Sequence, residues 1–219
     1  MSASLSHGKI LDVGSVGMLE EQLPPWQEGS VNLDSWFDPD NHGQPIELEI
    51  GTGKGTFLVQ HATQLPRVNF IGIEYAKAYW RFAADRCRRH GLSNVKLVRI
   101  EGQFFVRNYV PDRRLRQVHT YFPDPWPKKR HHKRRLINRT FLLELHRVLE
   151  EGGQVRIVTD HPDYHEWILA ESACVSDQFE RLPWLACTSA GDGELVGTNF
   201  ERKYRRAGES FHALVLRKR

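Results

Sequence analysis

The sequence has few cysteines and no long apolar run, and each shortage excludes a class of protein. Its three cysteines are Cys87, Cys174 and Cys187, and none belongs to a CxxC pair. An odd count without that spacing indicates reduced thiols rather than a disulfide framework or a zinc site, so we expect a cytoplasmic protein that needs no metal. No window approaches the roughly 20 apolar residues of a membrane span, and the first residues lack the charged and apolar segments of a secretory signal.

A large excess of charge of one sign is also missing from the chain as a whole. Its 219 residues carry 31 Lys and Arg against 27 Asp and Glu, which leaves a net charge of +4. The hydrophobic fraction of 40% and the length are those of about one globular domain. The positive charge is concentrated instead, because residues 128–135 hold six Lys or Arg and no acid. A local run of this kind bears on binding partners more than the net charge does.

Regular hydrophobic patterning is missing from the first 45 residues, which contain prolines at 24, 25, 39 and 45. We therefore predict a partly irregular N-terminal extension over residues 1–45 and one domain over residues 46–219. From Ile46 onward, apolar periodicity predicts strands alternating with helices. The strands are predicted at 46–50, 68–74, 95–100, 117–122, 154–159 and 210–218, and the helices at 55–65, 76–91, 136–150 and 162–175. This alternation predicts an α/β fold with a doubly wound, mostly parallel sheet.

A third dinucleotide-type glycine is missing from the glycine-rich turn of the chain. The segment ELEIGTGKG places Gly51, Gly53 and Gly55 between a predicted strand and a predicted helix, where glycines permit a tight turn and close approach of a ligand. The dinucleotide-binding pattern GxGxxG needs its last glycine at the position that Thr56 occupies. The pattern therefore argues against a nicotinamide-dependent dehydrogenase, while a tight turn without a ligand stays an alternative.

Acidic residues near the ends of three predicted strands indicate which ligand this turn suits. A carboxylate at Glu49, two residues before the first glycine, would repel a pyrophosphate and attract a cation such as the ammonium or sulfonium of S-adenosylmethionine. Glu74 ends the second strand, where an acid can accept hydrogen bonds from both ribose hydroxyls of an adenosine. Glu101 and Gln103 follow the third strand and could bind an adenine amino group, although the polarity of a solvated loop explains them nearly as well.

The segment YFPDPWPKKRHHKRR, residues 121–135, joins a stiff aromatic loop to the basic run. Pro123, Pro125 and Pro127 restrict the backbone on either side of Asp124, and Trp126 offers a flat face on which a base could stack. The cations of residues 128–135 could neutralise phosphates, which would make binding strongly dependent on salt. The alternatives are a structural Asp124 that caps the following helix and a basic run that is simply a solvated face.

Two further polar segments lie near predicted strand and helix ends. Asp160 follows the fifth strand and precedes His161-Pro162, so it is either a helix N-cap or a substrate contact, or both. The segment TNFERKYRR, residues 198–206, is either the exposed start of a helix or a basic, aromatic RNA-binding edge.

These residues carry a resemblance to a known family. Asp124-Pro125-Trp126-Pro127-Lys128, followed by residues 130–135, resembles the signature of the tRNA (guanine-N7-)-methyltransferase family. The resemblance extends over roughly residues 45–219 and includes Glu49-Ile50-Gly51, Gly72-Ile73-Glu74, Thr159-Asp160 and Thr198-Asn199-Phe200-Glu201. It implies a seven-stranded Rossmann-like methyltransferase sheet with an antiparallel last strand. It also implies S-adenosylmethionine as methyl donor and the guanine at position 46, in the variable loop of tRNA, as substrate. Guanine N7 carries a lone pair and no hydrogen, so its methylation would require placement rather than a strong base. Asp124, Asp160 and Glu201 are candidates for holding the guanine donors.

The resemblance also implies roles for individual residues. It implies that Asp124 is catalytic, and that the cofactor is bound by Glu49, Gly51, Gly53, Gly55, Glu74, Glu101, Gln103 and Asp124. It implies that tRNA is bound by Lys128, Arg130, His131, His132, Lys133, Arg134, Arg135, Asp160, Thr198, Asn199, Phe200 and Glu201. Where the family usually has Asp or Asn followed by Ala, this chain has Glu101-Gly102, so we expect either Glu101 or Gln103 to contact the adenine.

Two hypotheses therefore compete for the function. One is a methyltransferase acting on tRNA, and the other is an RNA-binding protein on a decayed methyltransferase scaffold. The presence of Glu49, Glu74 and Asp124 argues against decay. We expect tRNA as the partner, no membrane association and no obligate protein partner, and either a monomer or a homodimer.

Overall fold

The computed structural model describes residues 10–219, and its contacts group the chain into two compact units. The first unit extends to Tyr109 and the second covers Val110–Arg219. No helix within residues 10–219 combines the length and the apolar character that crossing a membrane requires.

The described residues of the first unit, 10–109, form four parallel strands and three α-helices. Its strands lie in the order β1-β4-β3-β2, and each adjacent pair is parallel. They are β1 (Gly17–Leu19), β2 (Ile46–Ile50), β3 (Asn69–Ile73) and β4 (Val95–Arg99). The helices are α1 (Thr56–Gln64), α2 (Lys77–Arg89) and α3 (Gly102–Tyr109). Because β2, β3 and β4 are parallel neighbours, the residues that follow them lie along one edge of the sheet.

The core of the first unit forms where α1 and α2 pack against the sheet. β2 and β3 are buried along their whole length, and the buried side chains of β2 include the carboxylates of Glu47 and Glu49. Ala83 and Ala84 of α2 are fully buried, and Gly55 lies directly against Ala83. A Cβ at Gly55 would lie 2.9 Å from the Ala83 Cβ, and its φ of +67° is left-handed, so both space and backbone require glycine.

The second unit contains four strands in the order β5-β6-β8-β7 and three α-helices. β5 and β6 are parallel, while β8 is antiparallel to both β6 and β7. The strands are β5 (Leu115–Tyr121), β6 (Leu149–Thr159), β7 (Phe179–Leu182) and β8 (His212–Lys218). The helices are α4 (Arg139–Val148), α5 (Pro162–Ala173) and α6 (Asn199–Arg206). The ends of β5 and β6 and the start of β8 therefore meet at one edge.

The predicted fold class is confirmed: the strands are mostly parallel, helices alternate with them, and the last strand is antiparallel. The described residues form eight strands rather than the predicted seven. β1 was not predicted. It lies within the predicted N-terminal extension and pairs with β4. Residues 1–9 of that extension lie outside the described part of the chain. The boundary between residues 45 and 46 stays a prediction.

Candidate active site

The glycine turn, residues 51–55, follows β2 directly and is fastened to the end of β3. The Gly51 and Thr52 amides both donate to the Ile73 carbonyl, at 2.8 and 3.1 Å. The Thr52 hydroxyl donates to the same oxygen at 3.0 Å. All three glycines have left-handed backbones, with φ of 85°, 54° and 67° at Gly51, Gly53 and Gly55. The turn is therefore rigid, and its path depends on glycine at each of these positions.

The space over this turn is open at its first two glycines. A Cβ built at Gly51 or Gly53 would meet no atom within 4 Å. Gly55 differs, because its neighbour Ala83 already fills that space. A ligand can therefore approach the backbone at residues 51–53, while Gly55 serves helix packing.

Glu49 is a buried carboxylate with an unmet hydrogen-bonding need. It is 4% exposed, and its Oε2 atom has no hydrogen-bond partner among the described residues. Burial and then the nearby Glu74 carboxylate raise the pKa of Glu49 well above its ordinary value. A buried acid with a free oxygen beside a second acid is costly for an isolated protein. A cationic ligand would offset this cost. Glu49 lies two residues before the open turn, where such a ligand can approach the carboxylate.

Glu74 follows β3 and links the glycine turn to the start of α2. One carboxylate oxygen accepts from the Gly53 amide at 2.8 Å, and the other accepts from the Ala76 amide at 2.9 Å. A carboxylate has about four lone-pair positions, so these two bonds orient Glu74 and leave capacity for two hydroxyl donors. The structure thus brings Glu49, Glu74 and the glycine turn together.

Glu101 reaches the same edge of the sheet at the end of β4. Its two carboxylate oxygens accept from the amides of Gln103 and Phe104, at 3.0 and 2.7 Å, so it caps the start of α3. Glu101 is exposed and Gln103 is half-buried. A Cβ at Gly102 would lie 2.5 Å from the Ile50 Cγ2 atom, which explains a glycine in place of the alanine usual in the family it resembles. The adenine contact stays a prediction for Glu101 or Gln103.

The proline loop, residues 122–127, continues from β5 in a strained backbone conformation. Phe122 and Trp126 are non-glycine residues with φ of 55° and 44°. Such conformations cost of order 1–3 kcal/mol each and persist only where surrounding contacts impose them. The Phe122 amide donates to the Val158 carbonyl of β6 at 2.7 Å, and its ring packs against Phe200 at a centroid distance of 4.5 Å. These contacts attach the loop to the strand edge.

Asp124 projects from this strained loop into solvent. It is exposed and makes no hydrogen bond or ion pair with any other residue in the described part of the chain. The helix-capping alternative fails on the geometry, because Lys128 occupies the N-cap of the following 3-10 helix, Lys129–Arg134. The cap of α4 is Asn138, whose side chain accepts from the Phe141 amide at 3.0 Å. Asp124 is thus a carboxylate that its own unit leaves available.

Asp160 lies at the same edge of the second unit, directly after β6. It is half-buried, and no residue described by the structure hydrogen-bonds to its side chain. The N-cap of α5 is His161, whose Nδ1 atom accepts from the Tyr164 amide at 3.3 Å. The cap alternative for Asp160 is therefore wrong, and the substrate contact stays a prediction.

The basic run forms a 3-10 helix that exposes most of its cations. Lys128, Arg130, Lys133 and Arg134 are exposed, while His131 and His132 are half-buried. The Arg134 guanidinium lies over the Trp126 ring, 5.0 Å from its centroid, and His131 meets the edge of the same ring. Arg134 therefore covers one face of Trp126 in this conformation.

Arg135 does not share the exposure of the rest of the run. It is 1% exposed, so the predicted phosphate contact for this residue is wrong in this conformation, because water and RNA cannot reach it. Its guanidinium is held by the proline loop and by α5 instead. The pattern of the run gave no sign of this difference between Arg135 and its neighbours.

The segment Thr198-Asn199-Phe200-Glu201 forms the first turn of α6. Thr198 is its N-cap and accepts from the Glu201 amide at 3.0 Å. Glu201 is fully buried, and its carboxylate accepts from the amides of Leu195, Val196 and Gly197 and pairs with Arg205. A direct guanine contact by Glu201 is therefore excluded in this conformation, since its oxygens are committed to the preceding loop. Asn199 and Phe200 are exposed.

Comparison with known proteins connects this geometry with a family. A family model described as "Putative methyltransferase" matches residues 43–214. A tRNA (guanine-N(7)-)-methyltransferase of Streptococcus thermophilus is 32% identical over 177 residues, which cover 81% of this chain and 82% of that protein. A Streptococcus pneumoniae protein of the same name is 34% identical over 174 residues, covering 80% of this chain and 82% of that protein.

Solved structures also resemble the fold. A 16S rRNA methyltransferase, KamB, superimposes with a TM-score of 0.58 at 17% identity, covering 85% of this chain and 89% of that chain. At this identity the likeness concerns the fold alone. It confirms the Rossmann-like methyltransferase architecture predicted from the sequence.

Proposed function

The chain belongs to the tRNA (guanine-N(7)-)-methyltransferase family, and from that premise we propose that it methylates N7 of the guanine at position 46, in the variable loop of tRNA. The methyl donor is S-adenosylmethionine. The observation that carries the proposal is the buried Glu49 carboxylate, whose unpartnered oxygen lies two residues before an open glycine turn. The family model begins at residue 43, which supports taking residues 46–219 as the methyltransferase domain and 1–45 as its extension.

The first unit supplies the residues that fit the donor. Glu49 offers a negative charge to a cationic group, and Glu74, already oriented by two backbone amides, offers its remaining lone pairs to ribose hydroxyls. Gly51 and Gly53 leave the turn open to a close approach. Glu101 or Gln103 binds the adenine edge. When bound, S-adenosylmethionine supplies an electrophilic methyl group carried on a sulfonium.

The second unit supplies the residues proposed for the guanine. N7 already presents a lone pair, so no residue has to remove a proton from it. Asp124, which the unit leaves unpaired, accepts from the purine donors and stabilises the positive charge that develops on the ring. Asp160, also unpaired, is the second candidate acceptor at the same edge. The exposed cations of the basic run bind the surrounding phosphates.

The test uses an unmodified tRNA transcript, a labelled methyl donor and nucleotide mapping of the product. We expect one 7-methylguanosine per tRNA, at position 46. A transcript with adenine at that position is the matched control and should accept no label there. Transfer to a different guanine would refute the assigned position, and RNA binding without transfer would favour the decayed-scaffold hypothesis.

A further inference from the structure

Arg135 is the last cation of the basic run, and its environment is unlike that of the others. Arg134, its neighbour, is exposed, whereas Arg135 is among the largest fully buried side chains of the chain. A buried guanidinium needs protein partners that replace its lost hydrogen bonds to water. The partners of Arg135 therefore indicate its role.

Four residues of the second unit contact the Arg135 guanidinium. The Nε atom donates to the Pro125 carbonyl at 2.9 Å, and a terminal nitrogen donates to the Asp163 carboxylate. The guanidinium carbon lies 5.0 Å from the centroid of the Tyr164 ring and 5.2 Å from that of Trp167. The Nε atom thus holds the proline loop, while the rest of the guanidinium contacts the first two turns of α5.

The same two aromatic residues also hold the backbone that follows Arg135. The Ile137 amide donates to the Tyr164 hydroxyl at 3.0 Å, and the Trp167 Nε1 atom donates to the Ile137 carbonyl at 2.8 Å. We call Arg135, Ile137, Asp163, Tyr164 and Trp167 the α5 clamp. It fastens the end of the basic run to a helix of the scaffold.

The proline loop needs such support because two of its residues are strained. Phe122 is held by β6 and Phe200, but these contacts lie on the side of the loop that precedes Asp124. On the other side, a hydrogen bond from Arg135 reaches the carbonyl of Pro125, the residue directly after Asp124. Among residues 10–219, none forms a hydrogen bond or ion pair with Asp124 that would fix its position.

We propose that Arg135 is a positioning residue, which holds the Pro125 carbonyl so that the loop presents Asp124 to the guanine, and that it does not bind RNA. The proposal rests on the role given to Asp124 under the proposed function. It divides the basic run in two: exposed cations that attract phosphate, and one buried cation that orders the loop.

Replacing Arg135 by lysine distinguishes a phosphate contact from a positioning role. A phosphate contact needs a positive charge, which lysine keeps, whereas a guanidinium that bonds two partners and stacks on two rings has no equivalent in lysine. The variants are therefore Arg135→Lys and Arg135→Gln, with Arg134→Gln as the neighbouring comparison. Arg113→Gln is a charge-matched control, because Arg113 is exposed and forms a salt bridge with Glu151.

The measurements are kcat at saturating tRNA and donor, counted per donor-binding site, and the salt dependence of tRNA binding. For Arg135→Gln and Arg135→Lys we expect kcat to fall about 10–100-fold, as displaced catalytic groups do, with the wild-type salt slope. For Arg134→Gln we expect weaker tRNA binding and a salt slope smaller by about one. For Arg113→Gln we expect wild-type values of both.

The outcomes distinguish the proposal from its competitors. A smaller salt slope in Arg135→Gln, with full activity in Arg135→Lys, would show a phosphate contact and overturn the proposal. An unchanged kcat per donor-binding site with a lower melting temperature would show a merely structural role and also overturn it. If the wild-type protein methylated no guanine N7, the proposed function itself would fail, whatever these variants did.

A milder variant keeps the test decisive if the Arg135 variants do not fold. Trp167→Phe removes the hydrogen bond to the Ile137 carbonyl and keeps an apolar ring over Arg135. It changes no charge, so we expect an unaltered salt slope and a several-fold lower kcat. Wild-type kcat in Trp167→Phe, with the bond lost, would overturn the proposal.

Discussion

Replacing Glu49 by glutamine should stabilise the free protein while weakening its binding of the methyl donor. Glu49 is buried, one of its oxygens has no hydrogen-bond partner within the described part of the chain, and Glu74 adds repulsion. An unsatisfied buried polar group costs about 1–3 kcal/mol, and more when charged. Glutamine keeps a polar group at this position and removes only the charge, which should stabilise the protein by about 1–3 kcal/mol at neutral pH. For a chain of this length 1 kcal/mol corresponds to roughly 2–4 °C in melting temperature, so Glu49→Gln should melt roughly 2–12 °C higher at neutral pH.

The sign of the pH dependence follows from the raised pKa of Glu49. The folded protein keeps a proton that the unfolded chain releases above the ordinary value of 4.5. Wild-type stability therefore falls, relative to Glu49→Gln, as the pH rises from about 4.5 toward the folded-state pKa. Below 4.5 the carboxyl is protonated in both states, and the gap between the two proteins should close.

Thermal unfolding from pH 4 to 8, followed by calorimetric titration with S-adenosylmethionine, measures both effects. Loss of one charge-assisted contact should lower donor affinity about 10–100-fold. Glu47→Gln is the matched control, because Glu47 is also buried on β2 but pairs with His61 at 3.5 Å, so its replacement should destabilise the protein. A Glu49→Gln protein that is less stable than wild type by a pH-independent amount would refute the reasoning.

Two further predictions concern the second unit. Asp124→Asn should lower methyl transfer at least about 100-fold while changing stability by no more than about 0.5 kcal/mol, since the side chain is exposed and unpaired; a large loss of stability in denaturant titration would instead show a structural role. Glu201→Ala should cost about 3–5 kcal/mol in the same titration, because it leaves Arg205 and three backbone amides without their buried acceptor; a cost below 1 kcal/mol would contradict that arrangement.

The elements with strong periodicity were predictable from the sequence, and the weakly patterned ones were not. The helix predicted at 76–91 is α2, Lys77–Arg89, because its apolar residues recur at helical spacing. β1 has three residues, and α3 directly follows a strand end, so neither offers a window long enough for a periodic pattern. β1 forms because it pairs with β4, and this pairing joins residues that are about 80 positions apart in the sequence.

The candidate site divides in the same way. Glycine spacing, the acids at strand ends and the Pro-Trp-Pro motif are local patterns, and they located the glycine turn, Glu49, Glu74 and Asp124 without a structure. The tertiary structure alone decided which charged residues are reachable. Arg135 and Glu201 occur in segments that look uniformly polar, yet both are buried because α5 and the loop before α6 supply partners from elsewhere in the chain. Burial depends on what packs against a side chain, and a linear pattern does not contain that information.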